Sequence, residues 1–187
     1  MTDDARRYLR DLLTLHQTAP RDLARLALLA EPGRLYALVD AAVDPELLDV
    51  LDASGEAYCA LDETRERDDL GATAPVLVEI TPGAATLATL LEEAWAVGAA
   101  VFLSSEESFR AVYRHVLARA GVDPAAAAIP FWNPVALRAL MDSPDLDAQR
   151  ALFGPVRAFM VEATDPDTLL RYELTDRGVE RAAYPLR

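Results

Sequence analysis

The chain contains no lysine: the 18 residues of the Lys+Arg total are all arginine, in a sequence of 187. Chemistry built on a lysine Schiff base or a P-loop lysine is thereby excluded. Cysteine is represented by Cys59 alone, so no disulfide closes within these residues. Two histidines, His16 and His115, together with that one cysteine give no zinc-ligand pattern. Glycine is scarce at eight residues, and neither G-x-G-x-x-G nor G-x-x-x-x-G-K-[ST] occurs, which removes the common phosphate-cradling loops. No uninterrupted apolar run approaches the roughly 20 residues that span a bilayer. The opening "MTDDARRYLRDLL" is charged and amphipathic, unlike a signal peptide. The cytoplasm is the expected compartment.

Acid is what the sequence has in excess. The net charge is −13 and the isoelectric point about 4.5. Such a balance argues against nucleic acid and against an anionic membrane surface as partners, since both reward clustered cations. Hydrophobic residues at 52% and charged ones at 26% describe an ordinary globular chain, and the length suits one domain with its own core.

Read along the chain, the first thirty residues suggest two helices. The first carries Leu9, Leu12, Leu13 and His16, and the second runs from Pro20 through Leu23, Leu26 and Ala27. "RLYALVD" (34–40), "EAYCALD" (56–62), "APVLVEI" (74–80) and "AAVFL" (99–103) read as apolar strands, and "AIPFW" (128–132) as strand-like. Helices follow Asp44-Pro45, Thr81-Pro82-Gly83, a capping box of Ser104 with Glu107, Asn133-Pro134 and Ser143-Pro144. Of these, the helix with Phe109, Val112, Tyr113, Val116, Leu117 and Ala120 has the cleanest apolar stripe. "PVRAFMVEA" (155–163) and "LLRYEL" (169–174) suggest two late strands able to pair antiparallel, and the tail from Thr175 has no convincing period. Strands alternating with helices predict an α/β fold with a mainly parallel sheet flanked by helices and a smaller mixed C-terminal lobe. The whole of 1–187 is read as a single domain, with an α/β lobe over 1–122 and a looser lobe over 123–187, where proline becomes denser.

Three acids close or lie in short strands: Asp40, Asp62 and Glu79. Carboxylates converging at strand ends can hold a divalent cation or perform acid–base chemistry, which would make the protein a metal-dependent hydrolase. The plainer reading is that each acid caps its next turn. Cys59 inside an apolar strand is a structural thiol rather than a nucleophile paired with His16 or His115. His115 lies between Arg114 and Arg119, on the polar side of its helix. Ser104 lacks the glycines of a nucleophile elbow. Trp95 lies beside a buried helical face and reads as core. Asn133-Pro134 is a helix start, whereas Phe131 and Trp132 just before it fit equally a roof over the core or an anchor for a partner.

Four segments taken in order carry a resemblance: "LYALVDAAVDPELLDVL", "RHVLARAGV", "FWNPVALRALM" and "ALFGPV". Over roughly residues 34 to 160 the chain resembles the bacterial type VI secretion effector adaptor or chaperone family, domain of unknown function 4123. The family's Tyr and Asp of its early strand fall on Tyr36 and Asp40, and its aromatic pair followed by Asp-Pro falls on Phe131, Trp132, Asn133 and Pro134. Asn133 stands where that pattern has Asp, Ala74 where it has Gly, and Ile129-Pro130 where a basic residue is common, so the member is a divergent one.

The resemblance implies a protein without catalytic function and without a cofactor. It would bind a secreted toxic effector in the cytoplasm and help load it onto the spike protein of the secretion tube. The partner-binding residues it suggests are Tyr36, Asp40, Phe131, Trp132, Asn133 and Arg138. An acidic surface would favour a basic effector segment. The competing readings are the hydrolase built on Asp40, Asp62 and Glu79, and a self-associating structural subunit of the apparatus.

Overall fold

The computed structural model describes residues 20–61, 74–120 and 129–186. The proposed first helix around Leu9 to His16, Asp62 and the charged "ETRERDD" segment lie outside the described residues. In chain order the elements are α1 (Pro20–Leu29), β1 (Arg34–Asp40), α2 (Glu46–Ser54), β2 (Tyr58–Ala60), β3 (Pro75–Ile80), α3 (Thr86–Glu93), β4 (Ala100–Ser105) and α4 (Phe109–Ala120). They continue as α5 (Pro134–Met141), α6 (Leu146–Phe153), β5 (Ala158–Glu162), β6 (Thr168–Thr175) and β7 (Gly178–Pro185).

The strands form a single seven-stranded sheet in the order β2-β3-β1-β4-β5-β6-β7, and every neighbouring pair is antiparallel. This overturns the expected mainly parallel sheet with a smaller mixed C-terminal lobe. The helices do join strands that run the same way, β1 to β2 through α2 and β3 to β4 through α3. In each case, however, an opposed strand is inserted between the two: β3 separates β1 from β2, and β1 separates β3 from β4. The alternation of strand and helix thus fixes direction but not adjacency. Beyond β4 the same sheet carries on through β5, β6 and β7.

The strands also resemble parallel ones in composition, for a physical reason. Antiparallel sheets commonly leave one face in water and alternate in polarity, whereas a sheet covered on both faces reads as near-continuous apolar runs. Here both faces of the central strands are covered. Leu35, Ala37, Val39, Val78 and Phe102 pack beneath α1, α2 and α3, whose contributions include Leu28, Leu51 and Leu90. Tyr36, Leu38, Leu77, Leu103 and Phe159 pack on the other face against α4, α5 and α6 through Val112, Val116, Leu137, Leu152 and Phe153. Period two therefore separates two cores rather than core from solvent.

Local signals hold where a side chain satisfies a helix terminus. The Asp44 carboxylate accepts from the Glu46 amide at 3.0 Å, and Gly55 ends α2 in the left-handed region at φ 72°. One signal shifts by a residue. Ser104 lies buried in β4 with its hydroxyl unpartnered among the described residues, and it is the Ser105 hydroxyl that accepts from the Glu107 amide at 3.1 Å. That hydroxyl also donates to the Pro155 carbonyl at 2.7 Å, which ties the start of α4 to the approach to β5. Likewise Asp145, not Ser143, caps α6 by accepting from the Ala148 amide at 2.9 Å. His115 is not a free rim residue: its Nε2 meets the Leu152 carbonyl at 2.7 Å.

Candidate functional site

The site is built where β1 ends. Asp40 is the last residue of β1; its amide donates to the Ala99 carbonyl at 2.8 Å and its carboxylate accepts from the Ala42 amide at 3.2 Å. The carboxyl is almost fully buried, and that burial raises its pKa above the usual carboxylate range, against the opposing hydrogen bond from Ala42. Register places Val39 opposite Ala100 and Phe102 opposite Met160, so the end of β5 at Glu162 lies at the same end of the sheet as Asp40.

Arg138 reaches this end from α5. Its Nη1 donates to the Glu162 carbonyl at 2.7 Å. The Glu162 side chain accepts from the Ala96 amide, and its carboxyl is pushed up by burial despite that bond and the nearby Arg138 charge. Ala96 sits at φ 70°, and the Trp95 indole donates to the Pro166 carbonyl at 2.8 Å. Two anchors thus hold the 95–98 turn against the β5–β6 corner. Trp95 is buried as read from its helix, while the anchored turn was not legible in advance: an alanine in the left-handed region leaves no mark in a sequence.

The aromatic corner is a turn and not the strand-like segment expected from "AIPFW". Phe131 donates its amide to the Ile129 carbonyl at 2.7 Å, and Asn133 donates its own to the Pro130 carbonyl at 2.8 Å. The two rings meet edge to face with centroids 5.4 Å apart, an arrangement favoured by the ring quadrupoles. They divide the two roles that sequence left open. Phe131 is buried in the core beneath α4–α6, while Trp132 is half-exposed and packs on the rim of that core. Asn133 caps α5, its side-chain oxygen accepting from Val135 at 3.0 Å and Ala136 at 3.3 Å, with Pro134 next in the first turn.

Asn133→Ala is expected to cost about 1 kcal/mol through loss of this cap. Asn133→Asp should be at least as stable as the parent, because a carboxylate there also meets the positive end of the helix. Urea midpoints of the two variants check both statements.

Tyr36 does not belong to a surface. It is fully buried, four residues before Asp40 on the same face of the sheet, or about 13 Å away at strand rise. Its hydroxyl donates to the Glu107 carbonyl at 2.7 Å, and burial together with the nearby Glu79 charge pushes its pKa up to about 12. The Tyr of the family pattern therefore links β1 to the start of α4. Tyr36 and Phe131 are withdrawn from direct contact with a partner, which leaves Trp132, Asn133 and Arg138 partly exposed, with Asp40 nearly buried at the end of β1.

Of the carboxylates of the hydrolase reading, Asp40 and Glu79 do not converge; Asp62 lies outside the described residues. Glu79 lies opposite Tyr36, whereas Asp40 lies opposite Pro75, so the two acids sit toward opposite ends of the sheet. Glu79 is engaged by Arg34, whose Nη1 donates at 2.8 Å. Among the described residues no group of three or more histidines, cysteines and acids is placed to hold a metal ion, and no helix is long and apolar enough to cross a membrane.

A further feature went unseen in the sequence. Among the described residues six large apolar side chains are exposed, and two of them, Val43 and Val97 (56%), flank Asp40: Val43 follows it by three residues, and Val97 precedes Ala99, its backbone partner. Two more, Ile129 and Val135 (63%), flank the aromatic corner. Valines and isoleucines just outside helices or in a first turn, as Val135 is in α5, read as core in a sequence, so only the packing discloses them.

Neither the curated proteins nor the solved structures contain a match to this chain. A family model does match, over residues 35–151, a span from β1 to α6 that takes in Asp40, the aromatic corner and Arg138. The chain belongs to the family described as Domain of unknown function (DUF4123).

Proposed function

We propose that this protein is a cytoplasmic adaptor of a type VI secretion system, which binds a toxic effector and assists its loading onto the spike complex without performing catalysis. The observation that carries the reading is the distribution of exposed apolar groups: of the six large ones among the described residues, Val43 and Val97 lie beside the end of β1 and Ile129 and Val135 beside the aromatic corner, within or next to two of the four segments that carry the family resemblance. Exposed Ile129 and Val135 next in sequence to a partly exposed tryptophan, with an arginine on the same helix, are the residue types of a protein-binding patch. Arg138 also has its guanidinium fixed by the Glu162 carbonyl, so less ordering is needed on binding. The net charge of −13 supports a basic partner segment and fast, salt-dependent encounter.

The test is co-purification with candidate toxins sought among the neighbouring genes. Trp132→Ala should weaken capture by about 30-fold, the effect of losing an aromatic anchor of about 2 kcal/mol. The variant should keep its fold, since Trp132 packs at the rim of the core rather than within it. A far-UV spectrum and a melting curve separate the two effects. Unchanged affinity in a folded variant, or an association rate indifferent to salt, would count against the reading.

A further inference from the structure

The two edges of the sheet differ. On one side the edge strand β2 has three residues. On the other, β7 has eight, paired without interruption to β6 from Thr175↔Gly178 to Thr168↔Pro185. The tight two-residue hairpin makes Thr175↔Gly178 a hydrogen-bonded pair, and alternation along an antiparallel ladder then settles where each backbone group points. Gly178, Glu180, Ala182 and Tyr184 face β6. The Leu186 amide, which donates to the Asp167 carbonyl at 2.8 Å, confirms that parity. The amides and carbonyls of Val179, Arg181 and Ala183 point away from the sheet, and among the described residues nothing pairs with them. Long regular edges are usually blunted by bulges or covering elements, because they template the pairing of another strand. No bulge interrupts β7, and only Pro185, at its end, lacks an outward N–H.

The charge around this edge selects among occupants. Arg181 is engaged by Asp142 at 3.5 Å, and Arg150 by Asp147 at 3.8 Å. That leaves the exposed acids Asp145, Asp176 and Glu180 against the exposed Arg177, so the rim is net acidic. A second copy would bring another chain of net charge −13 to an already acidic edge. An extended segment carrying arginine or lysine at alternate positions meets that rim favourably while its backbone satisfies the open ladder.

We infer that β7 is a strand-addition site, which takes an extended basic segment of a partner protein as an eighth strand of the sheet. The inference does not depend on the adaptor reading, since the edge is remote in sequence from the aromatic corner and lies beyond the segment that the family model covers. Strand addition draws affinity from main-chain hydrogen bonds and selectivity from alternate side chains.

The probe is a six-residue capped peptide of alternating arginine and valine, compared with its glutamate–valine counterpart, on the full chain. The arginine peptide should bind at least about tenfold more tightly, and more weakly as salt rises. Amide exchange at Val179, Arg181 and Ala183 should be fast in the free protein and slow in the complex. Ala183→Pro removes one outward donor at a position where an edge strand tolerates proline, and should weaken binding by about tenfold, the effect of a lost hydrogen bond plus the ring's obstruction. The exchange measurement on the parent chain stands even if that variant is unstable. Equal binding of both peptides, or protection that spares these three amides, overturns the inference. So does sedimentation showing a dimer that protects the same amides without peptide, because the occupant would then be a second copy.

Discussion

Replacing Gly154 with alanine is expected to lower the melting temperature by roughly 6–12 °C, the shift that about 3 kcal/mol produces in a domain of this size. Two costs combine. Gly154 has φ 46° and ψ −113°, and the Val156 amide donates to the Phe153 carbonyl at 2.7 Å across it. This is a type II′ turn with Gly-Pro at its centre, and an L side chain is strained at that first central position. The second cost is steric. A Cβ there would lie 2.2 Å from His115 Cε1, inside a ring held by its contact with the Leu152 carbonyl. Gly83→Ala supplies the control: φ is 90° but nothing lies within 4 Å of a Cβ, so only the conformational cost of about 1 kcal/mol remains. Combining Gly154→Ala with His115→Ala should recover part of the loss, since the obstructing ring is gone. A double-mutant cycle in urea measures that coupling; additive losses would show that turn strain alone sets the cost.

The second large effect is expected at Arg171. Its side chain is 6% exposed and that of Glu31 is 3% exposed, and the two form a fork, Nε to Oε1 at 2.6 Å and Nη2 to Oε2 at 3.1 Å. Nη1 donates to Glu173 at 2.6 Å. Burial alone would push Glu173 up, but the hydrogen bond and charge of Arg171 outweigh it and hold that carboxyl below its ordinary range. The pair spans 140 residues, joining β6 to the turn between α1 and β1. Arg171→Met should destabilise by about 3–5 kcal/mol, because the Glu31 carboxylate is left buried without its partner. Adding Glu31→Leu should restore most of that loss, since an apolar pair of similar volume often replaces a buried ion pair at little cost. Denaturant unfolding of the single and double variants decides it. If the double variant is no better than Arg171→Met, the burial of Glu31 is not what makes the single change costly.

These two features show what a sequence can and cannot disclose. The caps at Asp44 and Asn133 are local, and local chemistry was readable from the residues, whereas the Gly-Pro of "ALFGPV" entered only through the family resemblance. The strand over 34–40 and the apolar faces of α4 and α5 were readable for the same reason, since each repeats within a few residues. The Arg171–Glu31 pair was not, because nothing in either neighbourhood points across the chain. Sheet order was misread because insertion of β3 and β1 between co-directional strands changes no residue nearby. β7 was missed for a different reason: as an edge strand it is half-exposed on both faces, so its polarity has no period. Of the residues named from the sequence, Asp40 lies at the end of β1 and Trp132, Asn133 and Arg138 at or near the start of α5, while Tyr36 and Phe131 share their neighbours' signature and differ only in which way they face.

The inserted position of β1 bears on how the chain is made. β1 is synthesised before either strand that flanks it, and the second of these, β4, is complete only at Ser105, 65 residues after Asp40. At ribosomal rates of about 5–20 residues per second, this largely apolar strand leaves the ribosome with one side unmatched for roughly 3–13 s. During that interval its exposed backbone is open to capture by a neighbouring nascent chain or a holdase, so slower translation between β1 and β4 should lower the soluble yield.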